Sequence, residues 1–334
     1  MSRPTIHDVA QRAGVSKSLV ALVFKSGEKV SDLRREKVLK AAAELGYTPN
    51  AWASALRSGN NGFVGIIVAD FHNPLFTEIA DLARKALAAK GVFSFVSAAS
   101  LIESGEERTL DPKPISHLLD LKPSSLLIVG GLPELSAFKT VRENLPIVVA
   151  LAPIGDLTSA VSVRSDDNQA MSLVLDHLKS LGHKNVAYIG PDDRLVSQVR
   201  KDAFLAKAQV LELDTVVVST GSGLDEASGQ AAATNILREA NSPTALVCYN
   251  DNVAFGAQSA LLRSGVTGVA VTGYDNTYIS QLDLIALTSI EQNEARIAEV
   301  ACELLTNSEE YEKAQGTEFL VEPQLVVRKS SSLT

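Results

Sequence analysis

The chain has 334 residues, of which 46% are hydrophobic, and a formal net charge of −8. That length predicts two or three domains, and no apolar run approaches the roughly 18 residues of a membrane span. Because the first residues lack the basic-then-apolar pattern of a signal peptide, we expect a cytoplasmic protein without a membrane partner. Cys248 and Cys302 lie in apolar stretches without metal-ligand spacing, so we expect both to be buried packing residues.

The charge is divided unevenly along the chain. Residues 1–60 carry ten Lys and Arg against five acids, a net charge of +5, which leaves −13 for the remainder. A basic head on an acidic body is the pattern of a part that contacts phosphate attached to a part that does not. A solvated charged helix surface has the same composition, so charge alone leaves both interpretations open.

The head begins with two short helical patterns. Thr5 can cap a helix over 6–13, and Asp8 suits its first turn. Gly14 can take the left-handed conformation that ends a helix, and Ser16 can cap the next one two residues later. So tight a connection predicts that the two helices cross at a steep angle.

Apolar spacing assigns the faces of the second and third helices. In the second helix the predicted buried residues are Val20, Val23 and Phe24. The residues left pointing outward are Lys17, Ser18, Ala21 and Leu22. The third helix is predicted from about Ser31 to Gly46, with inward residues Val38, Leu39, Ala42 and Leu45 and outward residues Arg34, Arg35, Lys37 and Lys40. Such a bundle can present its second helix to a DNA major groove, and a helical dimerisation cap is the alternative.

An Ala-rich segment, residues 51–57, follows the turn at 47–50. It is too short to be a stable helix alone, because isolated helices below about 12 residues are marginal in water. We expect it to fold when two copies meet on DNA, where Leu56 can wedge between base steps of the minor groove. The predicted domains are a helix-turn-helix domain at 1–48, a hinge helix and linker at 49–61, and a core at 62–334.

Three stretches of the head resemble the lactose-repressor (LacI/GalR) family: TIHDVAQRAGVS at 5–16, VSDLRREKVLKAAAELGYTPN at 30–50, and the A-x-x-L of Ala53 to Leu56. The resemblance implies a sequence-specific transcription regulator, a repressor, that binds palindromic double-stranded DNA as a homodimer. The candidate DNA-contacting residues are Thr5, Ser16, Lys17, Ser18, Ala21, Leu22, Ser31, Asn50, Ala53, Leu56 and Arg57.

The second helix departs from the family pattern. Family members commonly carry a Thr, a Ser and an Arg in the stretch that this chain fills with Leu19, Ala21 and Leu22. Lys17 can donate to guanine O6 and N7, and Ser18 to a base edge, whereas the apolar side chains can only contact groups such as thymine methyls. We therefore predict an operator that differs from the common family palindrome.

The body alternates short apolar runs with helical patterns. Buried parallel strands are predicted at 63–70, 92–98, 125–131 and 147–151, and the same rhythm repeats at 186–190, 215–219, 245–250 and 269–275. Two doubly wound α/β lobes result, and such sheets bind ligands beyond the carboxyl ends of their strands.

The body also resembles the same family and, through it, the periplasmic-binding-protein fold. The motifs are HNPLF at 72–76, DHLKSLGHKNVAYIG at 176–190, NDNVAFGAQSALLRSG at 250–265, GYDN at 273–276 and LTSIEQ at 287–292. The resemblance implies three crossings between the lobes. Lobe 1 would comprise about 62–161 and 291–319, and lobe 2 about 162–290 and 320–330.

The resemblance also implies an effector site between the lobes. Arg200 matches the family's effector arginine, Asn250 and Asp275 end two strands at the expected cleft, and Gln292 lies at a crossing. Weaker candidates, for which ordinary core packing is an equal alternative, are Phe71, Phe76, Tyr249 and Tyr274. Charged planar groups and aromatic faces suit a sugar, a polyol or a nucleoside. Leu151 replaces a polar residue of some members, which changes the hydroxyl pattern that can be recognised.

An enzyme is not expected, because the sequence lacks the phosphate-loop, dinucleotide, nucleophile-elbow and zinc-helix motifs. The five histidines show no ligand spacing, so we expect neither a metal nor another cofactor. A solute receptor without a transcriptional role fits the body but not the head, and a sugar-modifying enzyme fits less well. The last residues carry no heptad pattern, which favours a dimer over a tail-joined tetramer.

Overall fold

The computed structural model describes residues 4–25, 30–48, 62–104, 107–132, 138, 145–239 and 241–332. The chain divides into two compact units, Met1–Gly62 and Phe63–Thr334. We call the first unit the head and the second the core.

In the part of the head that the structure describes, residues 4–25, 30–48 and 62, there are three helices: α1 (Ile6–Ala13), α2 (Lys17–Lys25) and α3 (Asp32–Leu45). The predicted caps are confirmed. The Thr5 side chain accepts the Asp8 amide N–H at 3.4 Å, and the Asp8 carboxylate accepts the Thr5 amide N–H at 2.7 Å. Gly14 ends α1 with a φ of 67°, and the Ser16 hydroxyl accepts the Leu19 amide N–H at 3.2 Å.

One residue of α3 was placed on the wrong face by the sequence pattern. Leu39, predicted to point inward, is 44% exposed, and Ala41 is buried in its place. The buried stripe follows Val38, Ala41 and Ala42, the i, i+3 and i+4 positions of one face, whereas Leu39 lies about 100° further round the helix. The buried residues in the small core of the head are therefore valines and alanines.

Replacing Thr5 by Ala is expected to speed hydrogen exchange of the α1 amides about fivefold, because a lost N-cap hydroxyl costs about 1 kcal/mol of helix stability. Hydrogen–deuterium exchange of the full chain measures this effect. Thr48→Ala is the matched control, since Thr48 is an exposed threonine of the head beyond the end of α3. Equal α1 exchange in the two variants would contradict the capping role.

The core begins with a first lobe built on a six-stranded sheet. In chain order its first elements are β1 (Val64–Val68), α4 (Pro74–Ala89), β2 (Ser94–Ala98), β3 (Leu101–Ser104), β4 (Glu107–Leu110), α5 (Pro112–Asp120), β5 (Ser125–Val129), β6 (Ile147–Ala150) and β7 (Val161–Ser165). The antiparallel β3–β4 pair is a separate hairpin that the sequence pattern does not predict. Every residue of β1 and β5 is buried, as expected for parallel strands covered by helices on both faces.

The second lobe follows. Its elements are α6 (Asp167–Ser180), β8 (Asn185–Gly190), α7 (Leu195–Val210), β9 (Asp214–Ser219), α8 (Glu226–Ile236), β10 (Ala245–Cys248), α9 (Asp251–Ser264), β11 (Ala270–Tyr274) and β12 (Thr288–Glu291). The chain then returns to the first lobe with α10 (Glu294–Thr306), α11 (Ser308–Ala314) and β13 (Glu318–Val321), and ends in the second with β14 (Gln324–Val326).

The sheet orders confirm two doubly wound lobes. The first sheet has the order β13-β7-β6-β5-β1-β2 with parallel pairing throughout, and the second has β14-β12-β11-β10-β8-β9 with only β14 antiparallel. Strand pairing puts the three crossings at 166, 292–293 and 322–323. The predicted boundaries at 161 and 319 lie a few residues before the ends of β7 and β13, because these two strands pair up to Ser165 and Val321.

Both cysteines are buried, as predicted. Cys302 packs in the core of the first lobe and Cys248 in that of the second. In the part of the chain that the structure describes, no helix has both the length and the apolar character needed to cross a membrane.

Candidate ligand cleft and DNA-facing helix

A cleft lies where the carboxyl ends of the strands of both lobes meet. Its polar lining consists of Asp70, Asn73, Arg200, Asn250, Asn252, Asp275 and Gln292, and its apolar lining includes Phe76, Leu151, Val196, Leu224 and Tyr249. The space not filled by atoms is about 470 Å³ with the mouth included, but the part that a water-sized molecule can enter is about 30 Å³. The side chains therefore nearly close the cleft, and a metabolite needs them or the lobes to move apart.

Arg200 lies on α7 and is 4% exposed. Its Nε donates to Asp167 Oδ1 at 3.0 Å and its Nη1 to the Tyr249 carbonyl at 2.5 Å. The guanidinium carbon lies 3.5 Å from the centre of the Tyr274 ring. Burial by itself lowers the pKa of Arg200, but the Asp167 carboxylate and the tyrosines outweigh this and keep the pKa above its ordinary value. Arg200 is thus a permanently charged group held in one orientation.

Asp167, the first residue of α6, is the anchor of this arginine. Besides Arg200, its Oδ1 accepts the Tyr274 hydroxyl at 2.8 Å, and its Oδ2 accepts Arg164 Nη1 at 3.0 Å. Arg164 in turn forms an ion pair at 2.7 Å with Glu318 of the neighbouring strand β13. Since Arg164 and Asp167 flank the first crossing, the charged network links the crossing to the cleft. Asp167 was not predicted from the sequence; the available signal was the pair of aspartates at 166 and 167, where β7 ends and α6 begins.

Asp275 joins the two lobes directly. Its Oδ2 accepts Nδ2 of Asn73, a first-lobe residue, at 2.9 Å, and its Oδ1 accepts Nε2 of Gln292, at the second crossing, at 2.8 Å. Asp275 has a φ of 113°, a region in which a non-glycine backbone is strained. Burial raises the pKa of Asp275 to about 6, against the opposing effects of Arg200 and the two amides. Asn73 lies within the HNPLF motif but was not predicted as a site residue.

A third buried carboxylate, Asp251, supports the loop after β11. Its Oδ2 accepts the amide and the hydroxyl of Thr277 at 2.8 and 2.9 Å, and its Oδ1 accepts the Ser289 hydroxyl at 2.6 Å. Burial, reinforced by the charge of Asp275, raises the pKa of Asp251 to about 7. The preceding Asn250 caps α9 by accepting the Val253 amide N–H at 2.9 Å.

Arg328, which follows β14 near the C-terminus, connects the last part of the chain to the loop after β11. Its Nη2 donates to Asn276 Oδ1 at 2.7 Å and its Nη1 to the Leu287 carbonyl at 2.6 Å. Asn276 also has a positive φ, 46°, and its Nδ2 donates to Glu291 at 3.2 Å. These contacts hold the strained turn that presents Asp275.

The predicted effector residues are placed as follows. Phe76, Arg200, Asn250, Asp275 and Gln292 line the cleft, as does Tyr249. Phe71 is 49% exposed and is not among the lining residues. Tyr274 is fully buried beneath Arg200 and acts on the site through that contact. Leu151, at the end of β6, lines the cleft with a φ of 68°.

In the head, Lys17, Ser18 and Ala21 are exposed along α2 and Leu22 is half-buried. Three further predicted DNA contacts, Thr5, Ser16 and Ser31, are exposed at helix starts. The other predicted DNA contacts lie outside the described residues: Asn50, Ala53, Leu56 and Arg57. The predicted hinge helix lies outside them as well. Three of the four residues that the sequence assigned to the outer face of α2 are therefore exposed, whereas Leu22 is half-buried like Leu19 and Phe24.

Both the head and the core are similar to known protein families. Residues 5–50 match the bacterial regulatory proteins of the lacI family, and residues 175–331 match the periplasmic binding protein-like domain. The maltose regulon regulatory protein MalI of Escherichia coli (strain K12) is 31% identical over 290 residues, which cover 85% of this chain and 82% of that protein. The HTH-type transcriptional repressor PurR of Mannheimia succiniciproducens is 28% identical over 341 residues and 98% of each chain.

Among solved structures, the lac repressor dimer bound to operator and the anti-inducer ONPF matches with a TM-score of 0.82 and 26% identity, over 99% of both chains. A helix-turn-helix head and a two-lobed ligand-binding core in one chain define a DNA-binding transcription regulator under ligand control, and not an enzyme. The chain belongs to the lacI family of bacterial regulatory proteins.

Proposed function

We propose that this regulator is a cytoplasmic homodimeric repressor whose two heads bind the half-sites of a palindromic operator, and whose affinity for DNA is set by a small polar metabolite held between the lobes. The observation that carries the proposal is the buried Arg200–Asp167 and Asp275–Asn73 pairing at the cleft, in a chain that exposes the polar face of α2 on its head. The operator-bound lac repressor dimer and the repressor PurR support the DNA-binding, dimeric and repressor parts.

The contacts of Asp275 in the cleft can couple ligand binding to the arrangement of the two lobes. A ligand that hydrogen-bonds Asp275 competes with Asn73, whose amide now occupies one carboxylate oxygen across the cleft. Gln292 holds the other oxygen and belongs to a crossing, so the relation between the lobes depends on what Asp275 binds. The ligand shifts the conformational equilibrium only by its difference in affinity for the two lobe arrangements.

The ligand control is tested by a thermal-shift screen of sugars, polyols and nucleosides on the full chain, followed by operator binding with each hit. A core consisting of residues 63–334 is expected to keep ligand binding and to lose DNA binding. Chemical conversion of the bound compound would contradict the proposal, since the cleft is proposed to bind and not to react.

Replacing Lys17 by Ala is expected to weaken operator binding about tenfold to a hundredfold, the effect of losing one base-specific contact. Because a base contact releases no phosphate counterion, the salt dependence of binding is expected to stay nearly unchanged. Fluorescence anisotropy over a series of salt concentrations measures both quantities. Lys37→Ala, on the exposed side of α3, is the control with the same charge change; equal losses in the two variants would rule out a reading role for Lys17.

The operator itself is tested by selecting binding sites from random DNA with the full chain. We expect a palindrome whose half-sites differ from the common family sequence where Ala21 and Leu22 face the bases, because apolar side chains favour thymine methyls over guanine acceptors. Recovery of the common family palindrome with intact half-sites would contradict the prediction.

A further inference from the structure

Four charged side chains form a line from the edge of the first sheet to the cleft. Glu318 of β13 pairs with Arg164 of β7 at 2.7 Å, and Arg164 pairs with Asp167 of α6 at 3.0 Å. Asp167 in turn pairs with Arg200 of α7 at 3.0 Å. We call these four residues the crossing network. Its first two members belong to the first lobe and its last two to the second, so the line of alternating charges passes from one lobe to the other.

Arg164 is the member of the crossing network that contacts both lobes. Its Nη2 and Nε donate to Glu318 Oε2 at 2.7 and 3.1 Å, and its Nη1 donates to Asp167 Oδ2 at 3.0 Å. The guanidinium is planar and holds its donors in a fixed geometry. When the backbone between Arg164 and Asp167 turns, the three hydrogen bonds therefore cannot all be kept. The pairing of this arginine thus depends on how the two lobes are arranged.

The crossing network is also connected to the third crossing. The Asp166 amide donates to the Val321 carbonyl at 3.0 Å, and Gln169 Nε2 donates to Glu322 Oε1 at 3.3 Å. These bonds join the first residues after β7 to the residues at the end of β13, so the first and third crossings lie side by side. A displacement of Asp167 therefore acts on two of the three crossings.

The other end of the crossing network lies in the cleft. Arg200 lines the cleft, and its Nε donates to Asp167 Oδ1. A ligand group that accepts a hydrogen bond from Arg200 competes with Asp167 for the same guanidinium. Because both side chains are buried, solvent screens their attraction only weakly, and a small displacement changes it substantially. Contact of a ligand with Arg200 therefore changes how strongly Asp167 is held by Arg164.

From this arrangement we propose that Arg164, which does not line the cleft, transmits the ligand state of Arg200 to the first and third crossings. The inference rests on the proposed function, because it assumes that a ligand in the cleft controls the affinity for DNA. Arg164 is a positioning residue that acts through Asp167 and not on the ligand. Its removal should leave the ligand bound but without its effect on operator binding.

Arg164→Gln tests this role in the full chain, because it removes the charge and keeps a polar side chain. The probes are trehalose, myo-inositol and adenosine, one each for the sugar, polyol and nucleoside classes. Isothermal titration calorimetry measures the Kd of each probe. Fluorescence anisotropy measures the ratio of operator Kd values with and without saturating probe, using the palindrome selected from random DNA. We expect the probe Kd to change less than about threefold and the ratio to fall about tenfold.

Lys207→Gln is the control with the same charge change. Lys207 pairs with Asp176 at 2.9 Å, and this ion pair joins α6 and α7 within the second lobe without spanning a crossing. We expect both the probe Kd and the ratio to stay unchanged in this variant. An unchanged ratio in Arg164→Gln overturns the inference, and so does an equal fall of the ratio in the control. Loss of probe binding in Arg164→Gln at an unchanged ratio overturns it as well, because Arg164 would then act on binding alone.

A second variant covers the case in which Arg164→Gln folds poorly. Glu318 has a side chain that is 31% exposed, and it contacts the crossing network through Arg164. Glu318→Gln is expected to lower the ratio about threefold. In the double variant the ratio should fall no further than in Arg164→Gln, since Glu318 acts through that arginine. Effects that multiply in the double variant would show two independent roles and would contradict the inference.

A third measurement needs no small ligand and uses the operator alone. Arg200→Lys disturbs the cleft end of the crossing network and keeps the charge, so we expect it to change the operator Kd about threefold or more. In the Arg164→Gln background the same substitution should have no effect on the operator Kd. An equal effect in both backgrounds, or none in either, overturns the inference. If no probe binds, the ligand part of the proposed function fails, and this measurement still decides the role of Arg164.

Discussion

Arg200→Ala is expected to lower the free energy of unfolding of the core by about 3 kcal/mol, the lower end of the cost of removing one partner of a buried ion pair, because Asp167 keeps Arg164 as a second counter-charge. In this variant Asp167 would keep only its hydrogen bonds from the Tyr274 hydroxyl and from Arg164. The same variant is expected to lose the effector response, because Arg200 is the cation that lines the cleft among the described residues. Urea unfolding followed by circular dichroism, together with operator binding with and without effector, measures both effects.

Two variants show whether the arginine geometry matters. Arg296→Ala breaks an ion pair with Glu299 whose two side chains are 51% and 57% exposed, and it is expected to change the free energy of unfolding far less than Arg200→Ala does. Arg200→Lys keeps the charge but loses the planar group that stacks on Tyr274, so we expect it to restore less than half of the lost stability. Full recovery in Arg200→Lys would show that charge alone, and not the stacked guanidinium, stabilises the site.

Asp251→Asn is expected to become more stable relative to the unchanged protein as pH rises. The pKa of Asp251 is raised to about 7 in the folded chain from an ordinary 3.8. When the pKa of a carboxyl group is higher in the folded state than in the unfolded state, its protonated form favours folding. This contribution is complete at a pH below the pKa of the unfolded state, and it is lost as pH rises through the pKa of the folded state. Between pH 5 and pH 8.5 the unchanged protein should therefore lose about 3 kcal/mol that the variant keeps.

The comparison between variant and parent is needed because two histidines act in the opposite direction. Burial lowers the pKa of His177 and of His183, so their neutral forms favour folding as pH rises, and this contribution is equal in both proteins. Denaturant unfolding at each pH measures the difference in the free energy of unfolding. Asp156→Asn is the control for a carboxylate at the surface; a constant difference between Asp251→Asn and the parent across this pH range would contradict the assignment.

Short-range features of this protein were predictable from sequence because their causes are local. The capping box at Thr5 and Asp8 spans three residues, and the glycine that ends α1 needs only its own positive φ. Eight parallel strands were recognised from continuous apolar runs, and six of them are buried because both of their faces are covered. The prediction of burial was wrong for β2 and β9, because they lie at the edges of their sheets and keep exposed residues. Strands β7, β12 and β13 are four or five residues long, and the polar residues within them conceal that pattern.

The site was only partly predictable. Arg200, Asn250, Asp275 and Gln292 were assigned through a family resemblance, and the structure brings all four to one cleft. The resemblance did not identify Asn73, although it lies within the HNPLF motif, or Asp167, because each acts through a contact with a residue distant in the sequence. Leu39 was misplaced for a related reason: the bundle selects one of two overlapping apolar stripes on α3, and spacing alone does not distinguish them.

Sequence by itself determined the class of this protein: a basic helix-turn-helix head on an acidic α/β body. The helix caps and the strand patterns were also determined by sequence, because each depends only on residues that are close together along the chain. Tertiary structure alone decided how the cleft is charged. Asn73 and Asp275 are 202 residues apart and Asp167 and Arg200 are 33 apart, yet each pair is hydrogen-bonded and shielded from water. Desolvation and long-range pairing set the pKa of Asp275 and leave Arg200 without free charge, and neither effect exists until the chain has folded.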